Sequence, residues 1–355
     1  MVKSLWLTDA QLITPHTISQ GAVCIENGRI AAIARRAPKS AKSISLRGAY
    51  LAPGFVDLHV WGDPQRISRE AVKSGTTAFL TTLGPEPQKE LLRHITQRSE
   101  MPMSSAVCLG FHLEGPFLNP RRAGALPARH MRRPSVGELN ALHQAGRIRL
   151  VTMAPELAGT SQAIAWCQRH RIVASLGHSM ADAKVSTRAM DAGAKAITHV
   201  FNGMRPLHHR KSSLVDVALT DARLTTMVIL DGVHVSPSAF RLLVRAKGPK
   251  RIALVTDSIR HQGWPVIKRR GAFYLRDGTL AGSDLTMMEA VKHAVQFAGL
   301  SVTEAVRMAT EVPARLLADR SRGMLARGRR ADLVVFDQRF RVRLTMVGGR
   351  VVYHN

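Results

Sequence analysis

The feature that most limits what this chain can fold into is a recurrence. Short apolar runs return at near-regular intervals, and a residue able to do chemistry often sits at or just past the end of one. The runs are Phe55–His59, Thr76–Leu83, Ala106–Glu114, Arg149–Ala154, Ile172–Leu176, Ala194–Val200, Leu224–Leu230 and Arg251–Thr256. From His59 to Asp257, 198 residues cover seven intervals of about 28 each, close to the roughly 30 residues of a strand–helix unit. Amphipathic segments at Glu86–Arg98, Val136–Ala145, Ala181–Ala192 and Pro237–Ala246 fill gaps between runs and read as helices. Alternating buried strands and helices predict a parallel sheet. Eight of them predict closure into an α/β TIM barrel, here over residues 53–330.

The flanks read differently. Residues 1–52 alternate as short strands with turns such as Glu26-Asn27-Gly28, and Asp332–Asp337, Val342–Val347 and Arg350–Tyr353 do the same around Gly348-Gly349. The two ends, 1–52 and 331–355, are expected to pair into one small β-sandwich domain beside the barrel.

Composition excludes several classes. With 355 residues and 45% apolar content, the chain can bury a large core. Its three cysteines, Cys24, Cys108 and Cys167, are odd in number and far apart. They fit neither a disulfide framework nor a cysteine zinc site, and they suit a reducing cytoplasm. The first fifteen residues lack the apolar core of a signal peptide, and no apolar stretch approaches the roughly 18 residues of a membrane span. Fifty-one Lys and Arg stand against 25 Asp and Glu, a net +26. The basic residues are scattered, with no zinc finger, basic helix or RNA-binding motif, so no specific nucleic acid is expected as partner. Such a field would attract anions of any kind.

In a closed barrel the chemistry gathers at the C-terminal ends of the strands. His59, Glu114, His178, His199 and Asp257 all fall there. A lone histidine at such a place is more often a cap or a hydrogen-bonded turn residue, but five candidates at one end change the weighing. His178 and His199 are 21 residues apart, too far for one helical face and natural for adjacent barrel strands. Two imidazoles and the Glu114 carboxylate suit one divalent ion with a coordination position left for water. Zinc comes first, and iron(II) or another divalent ion also fits. Asp257, at the end of the last strand, is the natural proton acceptor.

Several segments carry a resemblance that covers nearly the whole chain. Ala52-Pro53-Gly54-Phe55-Val56-Asp57-Leu58-His59 looks like the opening barrel strand of the amidohydrolase superfamily. His112-Leu113-Glu114-Gly115-Pro116-Phe117-Leu118-Asn119, Gly177-His178-Ser179, Thr198-His199-Val200-Phe201-Asn202, Asp231-Gly232-Val233-His234, Leu254-Val255-Thr256-Asp257 and Leu280-Ala281-Gly282-Ser283 are narrower. Together they resemble the N-acetylglucosamine-6-phosphate deacetylase family. The resemblance implies hydrolysis of an N-acetylated amino-sugar phosphate, with Glu114, His178 and His199 as metal ligands and Asp257 as acid–base. It also implies that Asn202 and Gly203 offer donors to the substrate, that His234 contacts the sugar, and that Ala125, Leu126, Leu280, Ala281 and Gly282 complete the substrate site. Arg210 would reach the phosphate in a neighbouring subunit, which makes the expected enzyme a homodimer.

The chain departs from this pattern in three places. His59-Val60-Trp61 replaces a His-x-His pair, and tryptophan cannot ligate a metal. His59 is therefore a residual ligand, a substrate contact or a hydrogen-bonded histidine. Leu126 stands where the family places a histidine that polarises the acyl carbonyl, and loss of one such donor costs about 10²–10³ in rate; His130 is the nearest substitute in sequence. The stretch from Asp257 to Gly282 is short, and Lys211-Ser212-Ser213 differs from the family's usual choice. Beside the deacetylase reading stand a hydrolase of another N-acyl sugar or N-acyl amino acid, and a non-catalytic sugar-phosphate-binding protein.

Overall fold

A computed structural model describes residues 4–15 and 17–355. Its strands fall into two sheets. The first takes β1 (Leu5–Ile13), β2 (Ile18–Glu26), β3 (Arg29–Ala34), β4 (Ser43–Ser45) and β5 (Tyr50–Pro53) from the N-terminal end. From the C-terminal end it takes the strands over Leu333–Phe336, Val342–Val347 and Arg350–His354. The ends meet because Leu333–Phe336 pairs antiparallel with β5, Leu333 opposite Pro53 and Phe336 opposite Tyr50.

Both hairpins of this sheet follow from turn chemistry. Asn27 and Gly28 have φ of 48° and 73°, Gly348 and Gly349 of 54° and 79°. Two consecutive positive values make the two-residue turn whose twist matches paired strands. The turns also pack on each other. A Cβ on Gly28 would lie 2.8 Å from the Gly348 carbonyl oxygen, so only glycine permits that approach. Leu7, Leu12, Val23, Leu51, Leu333 and Met346 share a separate apolar core here.

The second sheet carries the eight parallel strands β6 (Phe55–Gly62), β7 (Thr76–Leu83), β8 (Val107–Glu114), β9 (Ile148–Met153), β10 (Val173–Leu176), β11 (Ala196–Ile197), β12 (Thr225–Ile229) and β13 (Ile252–Val255), each beside the next. Every expected run holds a strand. The run over Ala194–Val200 contributes only Ala196–Ile197, because Thr198 turns its hydroxyl into the barrel interior and His199 takes a φ of 28°. Eight apolar strands buried on both faces fit a parallel barrel wrapped by helices.

Closure rests on a buried carboxylate. After Thr256 and Asp257 the chain continues as β14 (Ser258–His261), which pairs parallel with β6. Asp57 in β6 accepts the Thr256 hydroxyl at 2.6 Å and the Thr256 and His59 amides at 3.3 and 3.1 Å. Burial pushes its carboxyl up to about 6, against the pull of these donors. The first strand and the last are thus clamped by one side chain. Beyond β14 the chain makes β15 (Ile267–Arg269) and β16 (Ala272–Tyr274), then returns as β17 (Leu280–Ser283) parallel to β14. This extension at the barrel mouth went unread in the sequence.

Helices at Gln88–Ser99, Val136–Ala145, Ala183–Asp191 and Pro237–Lys247 match the four expected segments. Further helices cover Pro64–Ala71, Thr160–Arg169, Leu214–Thr220, Met287–Ala298, Val302–Ala309 and Glu311–Leu316. The helices over Met287–Ala298 and Val302–Ala309 begin with capping boxes of the Ser/Thr-x-x-Glu type, Thr286 with Glu289 and Ser301 with Glu304, a signal that the sequence carries openly. No helix among the described residues is long and apolar enough to cross a membrane.

Asp57→Ala should leave two buried amides unpaired and the Thr256 hydroxyl with only its longer bond to the His59 carbonyl at 3.3 Å, and lower the unfolding free energy by roughly 2–4 kcal/mol. Asp57→Asn, which keeps the shape and one acceptor, should cost less. A urea midpoint for Asp57→Ala equal to that of the parent would show that the clamp does not hold the barrel closed.

Candidate metal centre and active site

Four strand ends bring the acidic and imidazole groups together, and three of them depart from ordinary strand geometry as they do so. Glu114 is the last residue of β8, and His178, His199 and Asp257 follow β10, β11 and β13 by two residues. All three of the latter have left-handed backbones, φ 46°, 28° and 49°. For non-glycine residues this costs about 1–3 kcal/mol each and is tolerated where surrounding structure over-determines it. The turn swings each side chain from the strand line into the barrel mouth.

The groups crowd one point. Glu114 Oε1 lies 3.0 Å from His178 Nε2 and 2.6 Å from His199 Nε2, and the two imidazole nitrogens are 3.2 Å apart. Glu114 Oε2 is 3.3 Å from His59 Nε2, which is 3.1 Å from Asp257 Oδ1. Neither contact of His59 has hydrogen-bond geometry, and both its ring nitrogens are buried without a partner. His178 Nδ1 lies 2.7 Å from the Arg122 carbonyl oxygen. That oxygen can only accept, so Nδ1 carries the proton and Nε2 presents its lone pair. Burial opposes charge on Glu114, but His59, His178 and His199 together hold its carboxyl well below the usual carboxylate range. Burial likewise disfavours the His59 imidazolium, yet Glu114 and Asp257 outweigh it and raise the ring to about 10. The cluster calls for positive charge at its centre. Lone pairs converging at these distances, with an orphaned buried imidazole beside them, fit a divalent cation held by Glu114, His178 and His199.

Beneath the cluster lies a polar layer. His112 Nδ1 bonds the Leu58 carbonyl at 3.0 Å and Nε2 the Thr152 hydroxyl at 2.7 Å; Thr152, Thr198 and Ser175 are linked at 2.7 and 2.6 Å. Burial drives the His112 imidazolium well below its ordinary pKa, with His59 adding to the effect. A neutral ring that donates through Nδ1 and accepts through Nε2 satisfies this network.

Above the cluster is a cavity of about 260 Å³. Ala125, Leu126, Asn202, Gly203, His234, Leu280, Ala281 and Gly282 all line it with Glu114, His178, His199 and Asp257. A larger recess of about 800 Å³ on the terminal β sheet has no histidine in its lining. Arg210 does not line the cavity; it is exposed on the loop after β11. His130, the candidate substitute for a donor at position 126, does not line it either, and its Nε2 accepts from Arg129 at 3.2 Å. Leu126 therefore has no compensation from that residue.

Some functional residues carried no usable sequence signal. Trp61, noted only as unable to bind metal, donates its indole N–H to Asp257 Oδ1 at 2.9 Å. Trp264 stands against it, ring centroids 5.3 Å apart, and lines the cavity with Thr279. Asp231 bonds His234 Nδ1 at 2.6 Å and accepts the Val233 and His234 amides at 2.8 and 2.7 Å. Burial works against the Asp231 carboxylate, but His234 and these donors lower its pKa. The pair orients the His234 ring, leaving Nε2 for the cavity. Its spacing, Asp-x-x-His, was visible; the pairing was not.

Comparison with known proteins places this geometry in context. A family model described as "Amidohydrolase family" matches residues 50–352. The chain is 33% identical to N-acetylglucosamine-6-phosphate deacetylase of Bacillus subtilis (strain 168), over 99% of this chain and 98% of that protein. It is 32% identical to N-acetylgalactosamine-6-phosphate deacetylase of Escherichia coli O157:H7, over 85% and 87%. Among solved structures, an aspartate-to-alanine mutant of N-acetyl-D-glucosamine-6-phosphate deacetylase from Mycobacterium smegmatis, in complex with N-acetyl-D-glucosamine-6-phosphate, superposes with a TM-score of 0.90. It has 32% identity and 99% coverage of both chains.

Purified protein should carry about one divalent ion per chain, by the open three-ligand logic of such sites. Chelation should lower the melting temperature, because the ion binds only the folded site. Restored zinc should return it. His199→Ala that keeps a full equivalent of metal would overturn the ligand assignment.

Proposed function

The chain belongs to the amidohydrolase family, and from that premise we propose that it hydrolyses the acetamide of N-acetylglucosamine 6-phosphate to glucosamine 6-phosphate and acetate. The observation that carries this reading is the convergence of Glu114, His178, His199 and Asp257 on one cavity that His234, Asn202 and Gly203 also line. Likeness to deacetylases of both the gluco and galacto sugar phosphates, at 33% and 32% identity, supports the reaction more strongly than it separates the epimers. The galacto substrate is therefore the second reading.

A divalent cation, zinc in first place, would polarise the acyl carbonyl and make water acidic near neutral pH. The chain's own groups do the rest. Asp257 is a carboxylate with one oxygen engaged by Trp61 and His59. It accepts a proton from the attacking water as that oxygen bonds the carbonyl carbon. It then passes the proton to the amide nitrogen as the C–N bond breaks, which releases a neutral amine and acetic acid; the acid gives up its proton to solvent or to the amine and leaves as acetate. Gly203 offers its backbone N–H to the sugar beside Asn202, whose own N–H is held by the His199 carbonyl oxygen at 3.1 Å, and His234 meets the sugar through Nε2. Leu126 gives the carbonyl oxygen no hydrogen bond, so these donors carry more of the positioning.

Arg210, on its exposed loop, is assigned to the substrate phosphate of a second subunit in a homodimer. Its planar fork suits a phosphate, and ten residues lie between it and His199, enough chain to reach away from its own barrel. We place the enzyme in the cytoplasm, where its three free cysteines would stay reduced.

Acetate release should be greatest on the 6-phosphate of N-acetylglucosamine or its galacto epimer and weak on the unphosphorylated sugars. No release from any of them would overturn the reading. Asp257→Asn should fold, bind metal and lose turnover by at least about 10²-fold, since an amide cannot take the water proton in this way. Turnover within a few-fold of the parent would put the base elsewhere.

Mixing His199→Ala with Arg210→Ala and allowing subunit exchange should restore activity. One hybrid site then joins an intact metal centre to the neighbour's intact arginine. A mixture as inactive as its parents would refute the shared site.

A further inference from the structure

The catalytic cavity has a neighbour. A recess of about 440 Å³ lies against it, and Trp61, Ala125, Leu126 and Trp264 line both spaces. The recess lies beside the first three strand ends of the barrel, bounded by Leu83, Pro85 and Leu275 and by the polar Glu86, His94 and Arg98. It does not resemble a packing void. The Thr82 hydroxyl, fully buried on its inner wall, has no hydrogen-bond partner, and neither has Arg98 Nη1. A space whose walls keep such donors unpaired is one that a ligand or water fills.

The position decides what the ligand would be. Asn202-Gly203 and His234 follow β11 and β12, so a sugar held by them occupies the far side of the mouth from Trp61 and Leu126. An amide bond set at Glu114 and Asp257 then points its acyl group across the mouth toward the shared wall. Gly84 sits against that shared wall, where a side chain would crowd it. A Cβ there would come within 3.0 Å of Trp61 Cη2 and 3.5 Å of Leu126 Cδ2. Leu126 makes the threshold apolar, as a chain of methylenes requires.

We infer that this recess is an acyl subsite, and that the enzyme accepts N-acyl amino-sugar phosphates whose acyl group is longer than acetyl. An oxygen along such a chain would meet Thr82. The inference rests on the proposed hydrolysis of an N-acyl sugar phosphate and specifies its acyl class. Each methylene moved from water into an apolar wall is worth about fourfold in binding, so a chain that fits gains rather than loses.

The test compares N-acetyl- and N-hexanoylglucosamine 6-phosphate on the metal-loaded enzyme, with glucosamine 6-phosphate release as the readout. The expected kcat/KM for the hexanoyl substrate is at least a third of that for the acetyl substrate. Leu275→Trp, which fills the recess from its half-buried outer wall, should lower hexanoyl turnover tenfold or more and leave acetyl turnover within threefold. Acetyl turnover with hexanoyl turnover tenfold or more lower in the parent would overturn the acyl subsite and leave the deacetylase reading standing. Hydrolysis of neither substrate would overturn that reading and this inference with it.

Discussion

Everything at the mouth of this barrel is arranged around one buried carboxylate. Glu114 is 3% exposed, and an ionised carboxylate taken from water into such a place costs several kcal/mol unless positive or hydrogen-bonding groups meet it. Three imidazoles within 3.3 Å do so. Each arrives from a different strand, so the charge can be met only when the strands stand in their proper places. The left-handed turns at His178, His199 and Asp257 follow from the same demand. They bend the chain so that ring nitrogens and a second carboxylate face the first.

The barrel below supplies the rigidity this arrangement needs. A chain of hydrogen bonds through His112, Thr152, Thr198 and Ser175 crosses four neighbouring strands under the Glu114, His178 and His199 cluster, and Asp57 ties the first strand to the last. Buried polar groups that are fully paired specify one arrangement, because any slip of a strand leaves several of them unpaired. The apolar layers around them tolerate small shifts far better. The polar layer therefore sets the register of the site, while the aliphatic core between strands and helices supplies most of the stability.

Trp61 and Leu126 belong together in this picture. By the family resemblance, one stands in place of a second metal ligand and the other in place of a hydrogen-bond donor to the carbonyl. Neither leaves a gap. Trp61 turns its indole N–H to Asp257, and its ring forms, with Leu126 and Trp264, the wall between two cavities. The substitutions exchange polar contacts near the reacting amide for apolar surface. That is the change a larger acyl group would require.

Much of this molecule is written in its sequence, because periodicity and turn chemistry act locally. Eight apolar runs of strand length determine eight strands. Asn27-Gly28 and Gly348-Gly349 determine two hairpins, since few other pairs accept two positive φ angles. Glu114, His178, His199 and Asp257 could be picked out because each ends a run, and strand ends on one side of a barrel share a mouth. What the sequence left open depended on contacts between distant segments. Nothing near Trp61 shows that its N–H meets Asp257, 196 residues on. Nor does anything local show that Asp57 clamps Thr256, or that His130 turns to Arg129 instead of the cavity. The recess beyond Leu126 was invisible for the same reason. Its walls come from β6, the end of β7, the helix over Gln88–Ser99, the loop after β8 and the extension after β14, and only the closed barrel brings them face to face.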